Sequence, residues 1–224
     1  MVTTLCCPVC GGALEKCAGS YRCEKNHSFD IAKSGYVNLL LNSSQGHHGD
    51  DKLMVRALDR AGKSGALIGV DISKTALQYA AKRSTDFTLC VASCAHLPVA
   101  DGSIDEVLNI FSPFVPEEFA RVLKRGGHLL RAYPLREHLW ELKALIYDLP
   151  RDNPPTPLET EGFTLIETRE VRDRIHLPCT EDILALFRMT PYYYKTGAKD
   201  QQKAERSSAL DVQLAFGLAI YQKN

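Results

Sequence analysis

Four side chains near the start of this chain can hold a metal ion: Cys7, Cys10, Cys23 and His27, spaced C-x2-C-x12-C-x3-H. Zinc takes four thiolate or imidazole ligands in a tetrahedron, and two short pairs joined by a longer excursion suit that geometry. Gly11 and Gly12 follow Cys10 directly, where the tight turn after a C-x-x-C pair favours residues without a side chain. Four protein ligands leave no open position, so the expected ion is structural and not catalytic. Cys6 competes with Cys7 by a one-residue slip, and the Pro8-x-Cys10 context favours Cys7. A redox pair or a disulfide framework is the alternative use of such cysteines. Met1 to Leu5 is too short and polar for a signal segment, so Cys6, Cys17, Cys90, Cys94 and Cys179 are expected as thiols in a reducing cytosol.

Composition narrows the classes of function. The 224 residues suffice for one ordinary domain plus a small appendage. The apolar fraction of 45% is that of a globular protein. No run approaches the roughly 18 to 20 apolar residues of a membrane span, and the expected location is the cytoplasm. With 27 basic and 27 acidic residues the formal charge is zero. That argues against strong, sequence-blind nucleic-acid binding, which relies on counterion release. A local basic face that recognises a shaped RNA stays open.

These ligands need elements to position them. Residues 1–41 read as the zinc module, ending in an apolar tail, Gly35 to Leu41, that packs onto the main domain. Such a unit is too small to fold on apolar burial, so metal ligation worth about 10–16 kcal/mol carries it. Residues 42–57 read as a linker, in which His47 and His48 have no further ligands nearby. Residues 58–224 form the main domain. Strands are predicted at 66–71, 87–92, 104–111 and 128–133, with helices at 73–83 and 117–123, the latter closed by 124–127. A helix at 181–189 and a terminal apolar strand at 212–221, expected in an antiparallel edge pair, complete the chain. Strands alternating with helices predict a Rossmann-like α/β fold, a doubly wound parallel sheet with its ligand crevice at the C-terminal strand ends.

Asp71 closes the run Leu67-Ile68-Gly69-Val70, where such folds place an acid on the ribose hydroxyls of an adenosine cofactor. Its alternative role is to cap the helix that follows. Ser93, at the next strand end, is placed to stand beside an adenine ring, and Leu97-Pro98 turns the chain back.

The order Gly69-Val70-Asp71, then LPVADGSIDEV (97–107), then RVLKRGG (121–127) resembles the class I S-adenosylmethionine-dependent methyltransferases, with Arg125 in place of the usual proline. Adding the zinc ligands, the segment His27 to Leu40 and Glu137 to Lys143, the chain resembles the large-subunit (23S) ribosomal RNA guanine-N1 methyltransferases over almost its whole length. The resemblance implies methyl transfer to N1 of a guanine in an rRNA hairpin, a zinc module that helps recognise the RNA, and a homodimer. It matches Cys7, Cys10, Cys23 and His27 to the family's zinc ligands and His138 to a cofactor-contacting histidine. Asn109, Phe111 and Ser112 lie at the strand end that, by this resemblance, borders the target base, and are the candidates for its pocket. N1 carries a proton and sits on the pairing edge, so the base must be unpaired or flipped out.

One family feature is missing. No D-x-G-C-G-x-G loop precedes the Asp71 strand, and Gly62-Lys63-Ser64-Gly65 reads as a helix end and not as a substitute. A block equivalent to the first strand is absent near Ala57, which leaves two neighbouring strands to re-pair or stay open. The expectation is a methyltransferase fold that binds S-adenosylmethionine weakly or not at all. Its alternative is a non-catalytic, zinc-stabilised RNA-binding or dimerisation protein. A metabolite methyltransferase has no use for a separate recognition module, and a nicotinamide dehydrogenase lacks its G-x-G-x-x-G.

Overall fold

In the computed structural model, residues 5–41, 67–83 and 87–224 are described. The linker 42–57, the His47-His48 pair, the segment from Leu58 and the stretch Gly62-Lys63-Ser64-Gly65 lie outside the described residues. The chain forms two compact units, residues 1–105 with 113–125 and residues 106–112 with 126–224. The zinc module therefore shares its unit with the Asp71 half of the main domain.

In the first unit, β1 (Glu15–Cys17), β2 (Ser20–Arg22) and β3 (Ser28–Asp30) form an antiparallel sheet in that order. Ser20 and Tyr21 of β2 are buried in it, and Leu14, just before β1, is fully enclosed. The apolar tail of the module becomes a strand: β4 (Tyr36–Asn38) pairs parallel with β6 (Phe87–Val91), which pairs parallel with β5 (Leu67–Asp71). The β-branched Val37 and Val91 are almost fully enclosed, as expected where a parallel sheet is covered. Helix α1 (Lys74–Ala81) starts where the Ser73 hydroxyl accepts the Ala76 N–H, and it lays Leu77 and Ala80 on Leu89 and Val91. Helix α2 (Pro116–Val122) has proline in its first turn, Glu117 and Glu118 beside it and Arg121 in its last turn, each on the favourable side of the helix dipole.

The second unit carries a four-stranded sheet of order β7-β8-β10-β9, from β7 (Ile104–Ile110), β8 (Leu123–Pro134), β9 (Phe163–Leu177) and β10 (Leu210–Lys223). Strand β10 is antiparallel to both β8 and β9. Helices α3 (Trp140–Ile146), α4 (Thr180–Arg188), α5 (Pro191–Lys195) and α6 (Ala198–Glu205) follow the chain. Leu142, Ile146, Ile183, Phe187 and Val212 form their core.

The expected antiparallel edge pair is present as β10 with β9, which periodicity did not reveal and which forms the sheet's outer strand. Two expectations are corrected. Residues 124–127 do not close a helix but open β8. The expected continuous parallel sheet is two sheets among the described residues, with β5 paired only to β6 and β7 only to β8. The residues that precede β5, 42–66, lie outside the described residues.

Candidate metal centre and strand-end site

Two knuckles build the metal site. In the first, the Gly11 N–H donates to the Cys7 carbonyl (2.8 Å) and the Cys7 N–H to the Gly12 carbonyl (2.7 Å), with Gly11 at φ 72°. In the second, the Asn26 N–H donates to the Cys23 carbonyl (2.9 Å) and the Cys23 N–H to the His27 carbonyl (3.1 Å), with Asn26 at φ 61°. Glycine and asparagine are the residues that tolerate this left-handed turn. The knuckles bring the ligand atoms of Cys7, Cys10, Cys23 and His27 within 4.8 Å of one another. Sγ of Cys10 and Cys23 are 3.7 Å apart, and Nδ1 of His27 lies 3.5 Å from Cys7 Sγ and 3.4 Å from Cys23 Sγ. A zinc tetrahedron has edges of about 3.8 Å between sulfurs and about 3.5 Å between sulfur and nitrogen, from its bond lengths. The donor set and its spacing fit a structural zinc. Cys6 is not in the ligand cluster, and its backbone forms an isolated bridge with Ala13.

Asp71 ends β5, where its Oδ1 accepts the Ser73 N–H (2.7 Å). One carboxylate oxygen thus serves the start of α1, as the capping alternative holds. Burial raises the pKa of this acid, opposed by backbone N–H groups at Ser73 and Ile72. Ser93 ends the segment after β6, and its hydroxyl accepts the Ala95 N–H (3.2 Å) while its carbonyl accepts the His96 N–H (3.0 Å). It shapes its own tight turn. Asp71 and Ser93 stand at adjacent strand ends, as the parallel pairing of β5 with β6 requires.

His138, Asn109, Phe111 and Ser112 belong to the second unit. Asn109 is buried and donates from Nδ2 to the Ser112 hydroxyl (2.6 Å). Phe111 adopts φ 48°, a left-handed conformation that costs a side-chain-bearing residue about 1–2 kcal/mol. Its N–H donates to the Ala132 carbonyl (3.2 Å), and its ring, 44% exposed, stacks on the His138 imidazole at 5.5 Å and 16°. Phe216 meets both rings edge-on, at 5.8 Å from Phe111 and 6.5 Å from His138. The Ala215 N–H donates to His138 Nδ1 (3.1 Å), which leaves the neutral ring's proton on Nε2. Burial, with the Lys143 ammonium, pushes the imidazole pKa down to about 4. This pair is therefore an uncharged stacking surface at neutral pH, not a general base. Sequence reasoning did not find Phe216: it reads as one more apolar residue of a strand, and only the β8–β10 register brings it to the cluster.

The sequence family described as RlmA, N-terminal, a zinc ribbon, matches residues 5–42, and a methyltransferase domain family matches residues 51–131. A putative 23S rRNA (guanine-N(1)-)-methyltransferase of Bacillus subtilis (strain 168) is 27% identical over 271 residues, covering 95% of this chain and 96% of that protein. A second of that description, from Micromonospora griseorubida, is 28% identical over 285 residues and 96% of each chain. A 23S rRNA (guanine(748)-N(1))-methyltransferase of Streptomyces fradiae is 29% identical over 189 residues, 63% of this chain and 67% of its own. Alignments of 271 and 285 residues exceed this chain's 224, so those relatives carry stretches with no counterpart here.

Proposed function

We propose that this chain, which joins the RlmA zinc ribbon to a class I methyltransferase domain, methylates N1 of a guanine in large-subunit ribosomal RNA. The carrying observation is the coexistence in one unit of a closed Cys3His tetrahedron and an acid at a parallel strand end. When bound, S-adenosylmethionine supplies a methyl group already activated on a sulfonium, so the protein has mainly to align donor and base and exclude water. Asp71, through the carboxylate oxygen not turned to Ser73, would take the ribose hydroxyls, and Ser93 would border the adenine. His138 would contribute a neutral aromatic face. Asn109, held by Ser112, stands at the strand end expected to border the target base, and Phe111 offers a ring on which an unpaired base stacks. In the ribbon, Lys16, Arg22, Lys25 and Lys33 are exposed cations for the RNA backbone. The chain acts as a homodimer in the cytoplasm.

One observation favours a second reading, a zinc-stabilised RNA-binding protein without catalysis. The glycine-rich turn that cradles the methionine half of the cofactor is absent from the sequence, and β5 has a single partner among the described residues. Calorimetric titration of the purified chain with S-adenosylmethionine, beside gel-shift binding to an rRNA hairpin, separates the two. Micromolar cofactor binding supports the enzyme. RNA binding with no detectable cofactor heat supports the second reading and refutes the first. Arg22→Ala with Lys25→Ala is expected to weaken RNA binding and lower its salt slope by about two.

A further inference from the structure

The zinc ribbon is fastened to the loop that carries Ser93. The Cys6 N–H, one residue before the first ligand, donates to the Pro98 carbonyl (2.8 Å), and Leu5 forms an antiparallel bridge with Val99. Leu5 and Val99 are 1% and 5% exposed, so this junction is dry. Leu5 and Cys6 are in turn held by the knuckle's own hairpin, through Leu14 N–H to the Leu5 carbonyl (2.9 Å) and the Cys6–Ala13 bridge. On the other side of the same loop stands Arg121. Its five N–H donors are all used: Nε to Glu118 Oε2 (2.9 Å), Nη1 to the Val99 carbonyl (2.9 Å) and Asp101 (2.5 Å), Nη2 to the Leu97 carbonyl (3.0 Å) and Glu118 Oε1 (2.7 Å). Glu118 Oε1 also accepts the Leu97 N–H (2.6 Å). At the start of the loop the ribbon returns, as the Leu39 N–H donates to the Val91 carbonyl (2.9 Å) beside the β4–β6 pairing.

We propose that the zinc ribbon and Arg121 together position the Ala92–Val99 loop, so that metal ligation in the ribbon orders the strand-end segment assigned to the cofactor's adenine. The physical argument is one of order. A loop without regular structure pays backbone entropy of about 1–2 kcal/mol per residue fixed, and here the compensating bonds come from two outside elements. One of those elements, the Leu5–Cys6 edge, belongs to a module too small to hold its shape without metal. The ribbon is then more than an RNA-recognition head. The link from this loop to a cofactor rests on the methyltransferase reading, whereas the coupling of metal to loop does not.

Hydrogen–deuterium exchange of the full chain, with no cofactor and no RNA, tests the coupling directly. Zinc is removed with a chelator, and amides in 92–99 are compared with those of β9 and β10. The expected result is at least tenfold faster exchange in 92–99 while β9 and β10 keep their protection. Loop protection that survives as the ribbon's amides open overturns the proposal. Should chelation unfold the whole chain, Arg121→Met with stoichiometric zinc retained supplies the second measurement, read the same way. Tenfold faster loop exchange then supports the proposal, and unchanged exchange refutes it. A loop that responds in a chain unable to bind S-adenosylmethionine would separate this inference from the catalytic one.

Discussion

Single residues carry much of what is testable. His138 is neutral in the folded chain, with a pKa near 4 against 6.5 for the ordinary side chain. Above pH 6.5 neither state is protonated and nothing is gained or lost. As pH falls from 6.5 to 4 the unfolded chain binds the proton first, so stability declines through that window and the loss is complete below it. For a half-buried ring, screened by solvent, the loss is about 2 kcal/mol, and His138→Gln should remove it from a pH series of urea unfolding curves. Tyr221 is fully buried, and its hydroxyl has no hydrogen-bond partner among the described residues. Tyr221→Phe should therefore leave stability unchanged or raise it by up to about 1 kcal/mol, since a buried hydroxyl without a partner only adds a desolvation cost. Loss of stability in thermal unfolding would show that the hydroxyl is satisfied. The zinc ligands were legible because ligand type and spacing are local properties. The stack of Phe111 on His138 was not, because residues 27 positions apart meet only through a tertiary turn.

Strands and helices decide a second set of properties. Gly217 faces Tyr133 across β10 and β8, and a Cβ there would come within 2.3 Å of the Tyr133 ring. Gly217→Ala should destabilise the second unit by about 1–3 kcal/mol, read as a lower urea midpoint at unchanged slope. Gly19, with open space around its position, is the control. Strand β9 escaped sequence reading because its charged residues mask the alternation. Arg169, Arg172 and Arg174 pair with Glu167, Glu170, Glu137 and Glu141 along its length. Such a charged edge blocks pairing with other chains. These arginines are neutralised where they stand, which directs the search for an RNA-binding face to the ribbon's exposed lysines and Arg22.

At the scale of the molecule, the decisive fact is the glycine-rich block that the sequence lacks. The relatives align with this chain almost end to end, yet over more positions than it possesses. Among the described residues the Asp71 strand belongs to a three-stranded parallel sheet, and β7 belongs to a separate four-stranded sheet. Inserting a strand and glycine-rich loop from a relative at Ala57 should raise S-adenosylmethionine affinity at least tenfold by calorimetry. No gain would mean that the cofactor site depends on something other than that segment.

The amino-acid sequence by itself determined the metal site, the family resemblance and the acid at the strand end, because each is written in residue types at short, fixed spacings. It also showed that the glycine-rich loop was gone. Only the tertiary structure decided the strand order within each sheet, that β4 of the ribbon joins the parallel sheet, and which partners clamp the Ser93 loop. Those depend on strand order and on hydrogen bonds between segments distant in the chain, and no local pattern encodes which edge a strand will choose.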